Sequence, residues 1–274
     1  MTIIQSIILG IIQGLTEFLP ISSSGHLVIL PYFLNWQLPV KEKFVFDVLV
    51  QIGTLVAVIV FFRKELIVVI SGFIKQLLAG KPFATYESKL GWLLIAATIP
   101  AGLAGVFLQD VVESAFSSPL VAGIGLLATA GLMFLAESIH SHTGEMKDIG
   151  FVDALLMGVM QSLAIFPGVS RSGSTISGGM LRRLKRESAG KFSFLMSIPI
   201  MLAAGGLSTY QMFTEVTNLG NFLPIMTVGF LTAMVVGYIA IRWLLRFLVN
   251  HSLVYFSVYC FILGSVTILV WFLS

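Results

Sequence analysis

Six stretches of the chain are apolar for long enough to cross a hydrocarbon core, which takes roughly 20 consecutive apolar residues. They run over residues 44–62, 90–108, 119–137, 192–213, 222–246 and 253–273. Two further apolar segments, 1–38 and 149–190, are interrupted by proline, glycine and serine. Residues 66–78 form a short apolar run that suits an interfacial or partly inserted helix. The most polar connection, ESIHSHTGEMKD at 137–148, falls near the middle. A run rich in hydroxyls and helix breakers does nothing for a lipid-facing helix, because every freed backbone group must be satisfied by protein or by a polar cavity. The pattern predicts an all-α polytopic membrane protein, with about six transmembrane helices plus re-entrant broken helices in the two interrupted segments.

Composition strengthens this picture. Of the 274 residues, 57% are hydrophobic and 11% are charged, against roughly a quarter charged in soluble domains. Mean hydropathy is +0.98. The net charge of +3 comes from basic residues in short loops, so no nucleic-acid partner is expected. Met1 to Leu19 lacks a basic leader and a small-residue cleavage site, and reads as retained structure rather than a signal peptide. The single cysteine, Cys260, lies in an apolar run and reads as a small buried hydrophobe.

Loop charge orients the spans. Arg63, Lys64, Lys75, Lys81 and Lys89 share one loop region, and Arg182, Arg183, Lys185, Arg186 and Lys191 share another. The loops near 109–118 and 214–221 hold no basic residue. With the basic loops inside, 44–62 runs inward, 90–108 outward and 119–137 inward. In the second half 192–213 runs outward, 222–246 inward and 253–273 outward. The two halves thus have opposite topologies, and each interrupted segment starts and finishes on one side, the first outside and the second inside. Lys41 and Lys43 fall outside in this arrangement.

The sequence repeats as the topology does. At an offset of 148 (158 − 10), Gly10, Gln13, Leu15 and Phe18 meet Gly158, Gln161, Leu163 and Phe166. Without a gap, Ser22, Ser24 and Gly25 then meet Ser170, Ser172 and Gly173, and KFVF at 43–46 meets KFSF at 191–194. The expectation is one membrane domain over 1–274, built of two inverted-topology repeats, 1–137 and 149–274. The serine-glycine turns of EFLPISSSGH (17–26) and FPGVSRSGST (166–175) would then face one central chamber.

Chemistry concentrates in those two turns. Arg171 alone among the sixteen basic residues lies deep in an interrupted apolar segment. An arginine at membrane depth costs about 2.5–3.5 kcal/mol on insertion scales, so it needs a partner or a ligand. Two readings compete: a salt bridge to a buried carboxylate, or a clamp for an anion such as phosphate. Ser170, Ser172 and Thr175 supply hydroxyls beside it, and a turn there supplies backbone N–H groups. Glu17 is the acid of the first segment, with Gln13 one helical turn before it. The pair could hold a divalent cation together with substrate phosphate and water, or be a buried polar pair bonded to backbone or to Arg171. His26 follows Ser23 by three residues and could act as general base for a serine hydroxyl. His140, His142 and His251 read as solvated loop residues. Gly10 and Gly14 form a small-residue packing pair, and Asp47, Gln51 and Asp153 read as polar residues without a chemical role.

The motifs QGLTEFLPISSSGH (13–26) and PGVSRSGST (167–175) resemble the two signature motifs of the undecaprenyl-diphosphate phosphatase family, also called the bacitracin-resistance phosphatases. The similarity extends over nearly the whole chain. It implies an enzyme of the bacterial inner membrane that removes the terminal phosphate of undecaprenyl diphosphate, giving the lipid carrier used for peptidoglycan. Matched by position, the family's nucleophile falls on Ser23, its glutamate on Glu17, its histidine on His26 and its arginine on Arg171. The phosphate-contacting positions are Ser170, Ser172 and Thr175, with Ser22, Ser24, Gly25 and Gly173 completing the turns. The resemblance also implies a divalent cation, Mg2+ or Ca2+, on Glu17 with Gln13. The family's first motif opens with Glu or Gln, and the Gln13 of this chain leaves one carboxylate fewer.

The sequence therefore predicts phosphoryl transfer to water at an embedded site opening to the periplasmic or extracellular side. Either Ser23, activated by His26, attacks phosphorus while Glu17 positions the cation or a proton-carrying group, or water attacks directly with Ser23 as a ligand. The polyprenyl tail would reach the chamber sideways from membrane lipid, and a homodimer is compatible with the sequence. The rival is a transporter or flippase for a lipid phosphate, since inverted repeats and midplane anion sites are also transporter features.

Overall fold

The computed structural model describes residues 1–38, 40–116, 118–138, 142–215 and 219–274, and the side chains of 40–42, 44, 113, 207–208, 211–215, 219 and 221–222 lie outside that description. Among the described residues there is no β-strand, only an isolated bridge between Gly144 and Leu184. Five helices are long and apolar enough to cross a membrane, or six if one bent pair forms a single span. The chain is a multi-pass membrane protein.

The first interrupted segment is a broken helix, α1 (Ile3–Phe18) followed by α2 (Ser23–Phe33). Thr2 opens α1 with a capping box: its hydroxyl accepts from Gln5 N, and Gln5 Oε1 accepts from Thr2 N. Pro20 ends the first piece. The residue before a proline is pushed out of helical geometry, and Leu19 accordingly adopts φ −59°, ψ 139°. The second interrupted segment repeats this plan, with α8 (Phe151–Leu163) and α9 (Arg171–Leu181) separated by a turn through Pro167 and Gly168. Gly168 has φ +88°, and a Cβ there would overlap the Ala122 carbonyl.

The remaining helices follow the predicted spans closely. They are α3 (Val40–Phe61), α5 (Tyr86–Phe107), α7 (Pro119–Glu137), α10 (Arg186–Glu215), α11 (Leu219–Asn250) and α12 (Val254–Leu273). The short run expected over 66–78 is α4 (Arg63–Leu78), bent by 78° from α3. Val69 is its one buried residue, as expected of a helix that turns aside instead of continuing the span. One element departs from the sequence reading: 109–118 was expected to be a loop, yet Gln109–Ala115 forms α6. Seven residues give too few turns for a helical period to register in sequence.

The halves interlock. The broken helix α1 packs along α11 of the other half, and α8 packs along α5 of the first half. Two glycines 148 residues apart make both contacts: Gly10 faces the Gly229 backbone and Gly158 faces the Ala97 backbone, each too close to admit a Cβ. Helices α7 and α12 pair between them. At one end Arg186 binds Glu137 in bidentate fashion, Nε to Oε1 at 2.7 Å and Nη2 to Oε2 at 2.5 Å, while Leu253 N donates to Glu137 Oε1 at 2.7 Å. One carboxylate thus joins α7, α10 and the start of α12.

Several residues set aside earlier have plain structural partners. Asp47 pairs with Lys43, and Asp153 accepts from Gly150 N at 2.8 Å and from Arg182 Nε at 2.6 Å. His251 is exposed and stacks on Phe247. His142 differs from the solvated reading, because it is partly buried and its Nε2 has no partner among the described residues. His140 lies outside the described residues.

Candidate active site

The two breaks touch. Ser172 Oγ donates to the Leu19 carbonyl at 3.1 Å, and a Cβ on Gly25 would lie 3.0 Å from Gly168 Cα. Each turn is closed by a capping serine, with Ser22 in left-handed backbone at φ 69° and Ser170 extended at φ −72°. Ser22 caps α2, its Oγ accepting from Gly25 N at 3.2 Å, and Ser170 caps α9, its Oγ accepting from Gly173 N at 3.0 Å. Thr129 of α7 supports the second turn, accepting from Ser170 N at 2.9 Å and donating to Gly168 O at 3.2 Å. The capping serines also hydrogen-bond their neighbours, Ser22 to Ser24 and Ser170 to Ser172, each at 3.3 Å.

This construction places Ser23 and Arg171 at the first position of their helices, both lining one cavity of about 250 Å3. The N–H groups of a helix's first turn lie outside its hydrogen-bond ladder, and the dipole adds partial positive charge. Two helix N-termini and a guanidinium therefore give the cavity an anion-attracting wall. Thr16, Glu17, Ser22, Ser24, Gln51, Gln161 and Ser170 line it as well. Apolar residues complete it, among them Val48, Ala101 and Ile200, with Val112 and Phe116 from and beside α6.

Glu17 is the hub. Its Oε2 accepts from Ser23 Oγ at 2.5 Å and from Gln13 Nε2 at 2.9 Å. Its Oε1 accepts from Arg171 Nη2 at 2.9 Å and from Gln51 Nε2 at 3.4 Å. The Glu17 side chain is 2% exposed and that of Arg171 is 13% exposed. Both sequence readings of Arg171 thus have a counterpart: it forms the salt bridge to a buried carboxylate, yet its Nε and Nη1 have no partner among the described residues. Thr175 lies one turn further into α9, donating to Arg171 O at 2.7 Å and paired with Ser193 Oγ at 2.6 Å. It faces α10 rather than the cavity wall.

His26 is close in sequence to Ser23 but is not joined to it by a hydrogen bond. Its Nδ1 is 2.7 Å from Ser22 O and its Nε2 is 2.7 Å from Tyr259 Oη of α12, with the two rings nearly parallel. Both ring nitrogens are occupied, and Glu17 holds the Ser23 hydroxyl. Two contributors escaped the sequence reading. Gln51 is named there but reads as a polar residue without a chemical role, and Tyr259 draws no reading.

Among the described residues no group of three His, Cys, Asp or Glu side chains comes together as a metal site. A hard cation at Glu17 would need the Gln13 and Gln51 amides turned to present oxygen, since both direct Nε2 at the carboxylate, while Ser23 and Arg171 also donate to it. With one carboxylate, the rest of the shell would come from phosphate and water.

A sequence model described as "Bacitracin resistance protein BacA" matches residues 6–266 of the chain. The chain is 43% identical over 267 residues to a protein of Rubrobacter xylanophilus named undecaprenyl-diphosphatase, covering 96% of each. It is 39% identical over 276 residues to one of the same name in Methanosphaera stadtmanae, covering 97% of each. A third, from Chlorobium phaeovibrioides, is 40% identical over 277 residues.

Proposed function

The chain belongs to the bacitracin resistance protein BacA family, and from that premise we propose that it is a membrane-embedded phosphatase. It hydrolyses undecaprenyl diphosphate to undecaprenyl phosphate and inorganic phosphate, which recycles the lipid carrier for cell-wall synthesis and gives bacitracin resistance. The observation that carries this reading is the convergence of Ser23 from one half and Arg171 from the other on Glu17, in a cavity walled by two helix N-termini. A carrier needs an anion site but not a hydroxyl held by a carboxylate, so this convergence favours the enzyme over a lipid-phosphate transporter.

The chemistry follows from the contacts. Glu17 takes the Ser23 proton through the 2.5 Å hydrogen bond. The Ser23 oxygen forms a bond to the terminal phosphorus, and the bond to the bridging oxygen breaks. Undecaprenyl phosphate departs with the electron pair and needs no proton, being already a phosphate anion. Water then attacks the phosphoserine, and the bond from phosphorus to Ser23 Oγ breaks. Glu17 returns its proton to that oxygen, and inorganic phosphate leaves with the water protons. Arg171 offers Nε and Nη1 to the equatorial oxygens while Nη2 stays on Glu17. The dipoles of the two helix N-termini share the remaining charge, while the Gly25 and Gly173 N–H groups stay on the capping hydroxyls of Ser22 and Ser170. Mg2+ or Ca2+ held by Glu17 with Gln13 would supply further neutralisation of the diphosphate. His26, fixed between Ser22 and Tyr259, braces the turn that presents Ser23.

Loop charge supports an inner-membrane protein with this cavity opening to the periplasmic or extracellular side. The reciprocal packing of α1 on α11 and α8 on α5 supports two inverted repeats within one membrane domain.

The test is phosphate release from undecaprenyl diphosphate by the purified protein in detergent, with and without Mg2+ or Ca2+. Wild type should release phosphate, and folded Ser23→Ala and Arg171→Ala should not. A folded wild type that releases none under any cation, yet exchanges labelled lipid phosphate across vesicles, would establish the transporter instead.

A further inference from the structure

Gln161 is a cavity residue that the cluster around Glu17 leaves unused. It is 3% exposed and lines the same cavity, and neither its Oε1 nor its Nε2 has a hydrogen-bond partner among the described residues. A buried amide with both ends unpaired costs a few kcal/mol, which a well-packed apolar residue would avoid. Its repeat-related residue makes the contrast plain. Gln13 gives its Nε2 to Glu17, four residues further on. Four residues beyond Gln161 stands Ile165, which offers no acceptor. Gln161 therefore holds the position of Gln13 in its own half, with the carboxylate removed from in front of it.

A diphosphate presents two phosphates and needs two sets of donors. Ser23, Glu17 and Arg171 Nη2 form one bonded set. Gln161 makes no bond to any of them and comes from α8, on the wall that also carries Ala164 and Ile165. We infer that the Gln161 amide binds the lipid-linked phosphate of the polyprenyl diphosphate, donating from Nε2. The inference rests on the phosphatase reading above. It also gives the amide a role in turnover, because the lipid-linked phosphate gains charge as the bridging bond breaks, and a fixed neutral donor there stabilises the departing group.

The test is direct binding to the purified protein in detergent, with two probes. Undecaprenyl monophosphate carries only the lipid-linked phosphate, and inorganic phosphate stands for the released one. Wild type is compared with Gln161→Leu and Gln161→Glu, with thermal unfolding followed in parallel. Gln161→Leu loses no hydrogen bond among the described residues and should unfold at or above the wild-type temperature, while Gln161→Glu buries an unpaired carboxylate and should unfold below it. Undecaprenyl monophosphate should bind about tenfold more weakly to the Leu variant, the scale of one hydrogen bond to a charged group, and more weakly still to the Glu variant. Inorganic phosphate should bind all three proteins alike, and kcat/KM for the diphosphate should fall in step with monophosphate affinity. Unchanged monophosphate affinity in the folded variants, or an equal loss for inorganic phosphate, would overturn the assignment. Product binding needs no turnover, so absent phosphate release from wild type would count against the phosphatase reading alone.

Discussion

Ser23 and Arg171 occupy the same position in two related helices, each one residue past a capping serine, and they meet on opposite oxygens of Glu17. Ser23 Oγ lies 2.5 Å from Oε2 and Arg171 Nη2 lies 2.9 Å from Oε1. A serine-capped helix start delivers a hydroxyl from one half and a cation from the other, although Ser22 is at φ 69° and Ser170 at φ −72°. One kind of helix start therefore serves two chemical purposes, according to the side chain it carries.

Replacing Glu17 by Gln keeps its shape and removes the proton acceptor for Ser23. Phosphate release should fall on the order of 10²–10⁴-fold, the usual worth of a positioned base. Retained turnover in the folded variant would point to direct attack by water with Ser23 as a ligand only.

Removing one partner of a buried ion pair strands the other, at about 3–5 kcal/mol. Arg171→Ala should therefore lower the unfolding temperature as well as abolish activity. The double variant Glu17→Gln/Arg171→Met carries no stranded charge and should recover most of that stability without recovering turnover. Thermal unfolding in detergent with a parallel phosphate assay separates the two effects.

Tyr259→Phe deletes one hydrogen bond to His26 and leaves the stacked ring in place. A cost of about 1 kcal/mol should appear as a fall of roughly 2–4 °C in Tm. The pH profile of kcat/KM should not move, because His26 is not bonded to Ser23. A displaced acidic or basic limb would restore the histidine to the proton path.

At the other end of the molecule, the fork between Arg186 and Glu137 gathers three helices. Arg186→Lys keeps the charge but cannot make both hydrogen bonds. It should destabilise nearly as much as Arg186→Ala, by about 1.5–3 kcal/mol for a hydrogen-bonded charge. A full rescue by lysine would show that charge alone holds this junction.

The sequence made the helices legible because hydrocarbon imposes a length and a polarity on each span, and both interrupted segments stood out by proline and serine. Glu17 and Arg171 were legible because ionisable groups at membrane depth have few uses, while Ser23 stands out through the family resemblance. Gln51 and Tyr259 were not legible. Their roles depend on how far one helix slides and rotates against another, and a lone polar residue in an apolar span does not record that register. His26 illustrates the opposite error, since a spacing of three residues suggested contact with Ser23. The α2 backbone instead turns its ring toward α12, where Tyr259 meets it.

The pairing of Glu17 with Arg171 spans 154 residues of chain, and this distance matters while the protein is being made. At roughly 5–20 residues per second, the ribosome completes the carboxylate some ~8–30 s before its counter-charge exists. An unpaired carboxylate does not settle at membrane depth, so the first segment to be synthesised is among the last to be seated. Nascent chains halted before residue 171 would display Glu17 unneutralised.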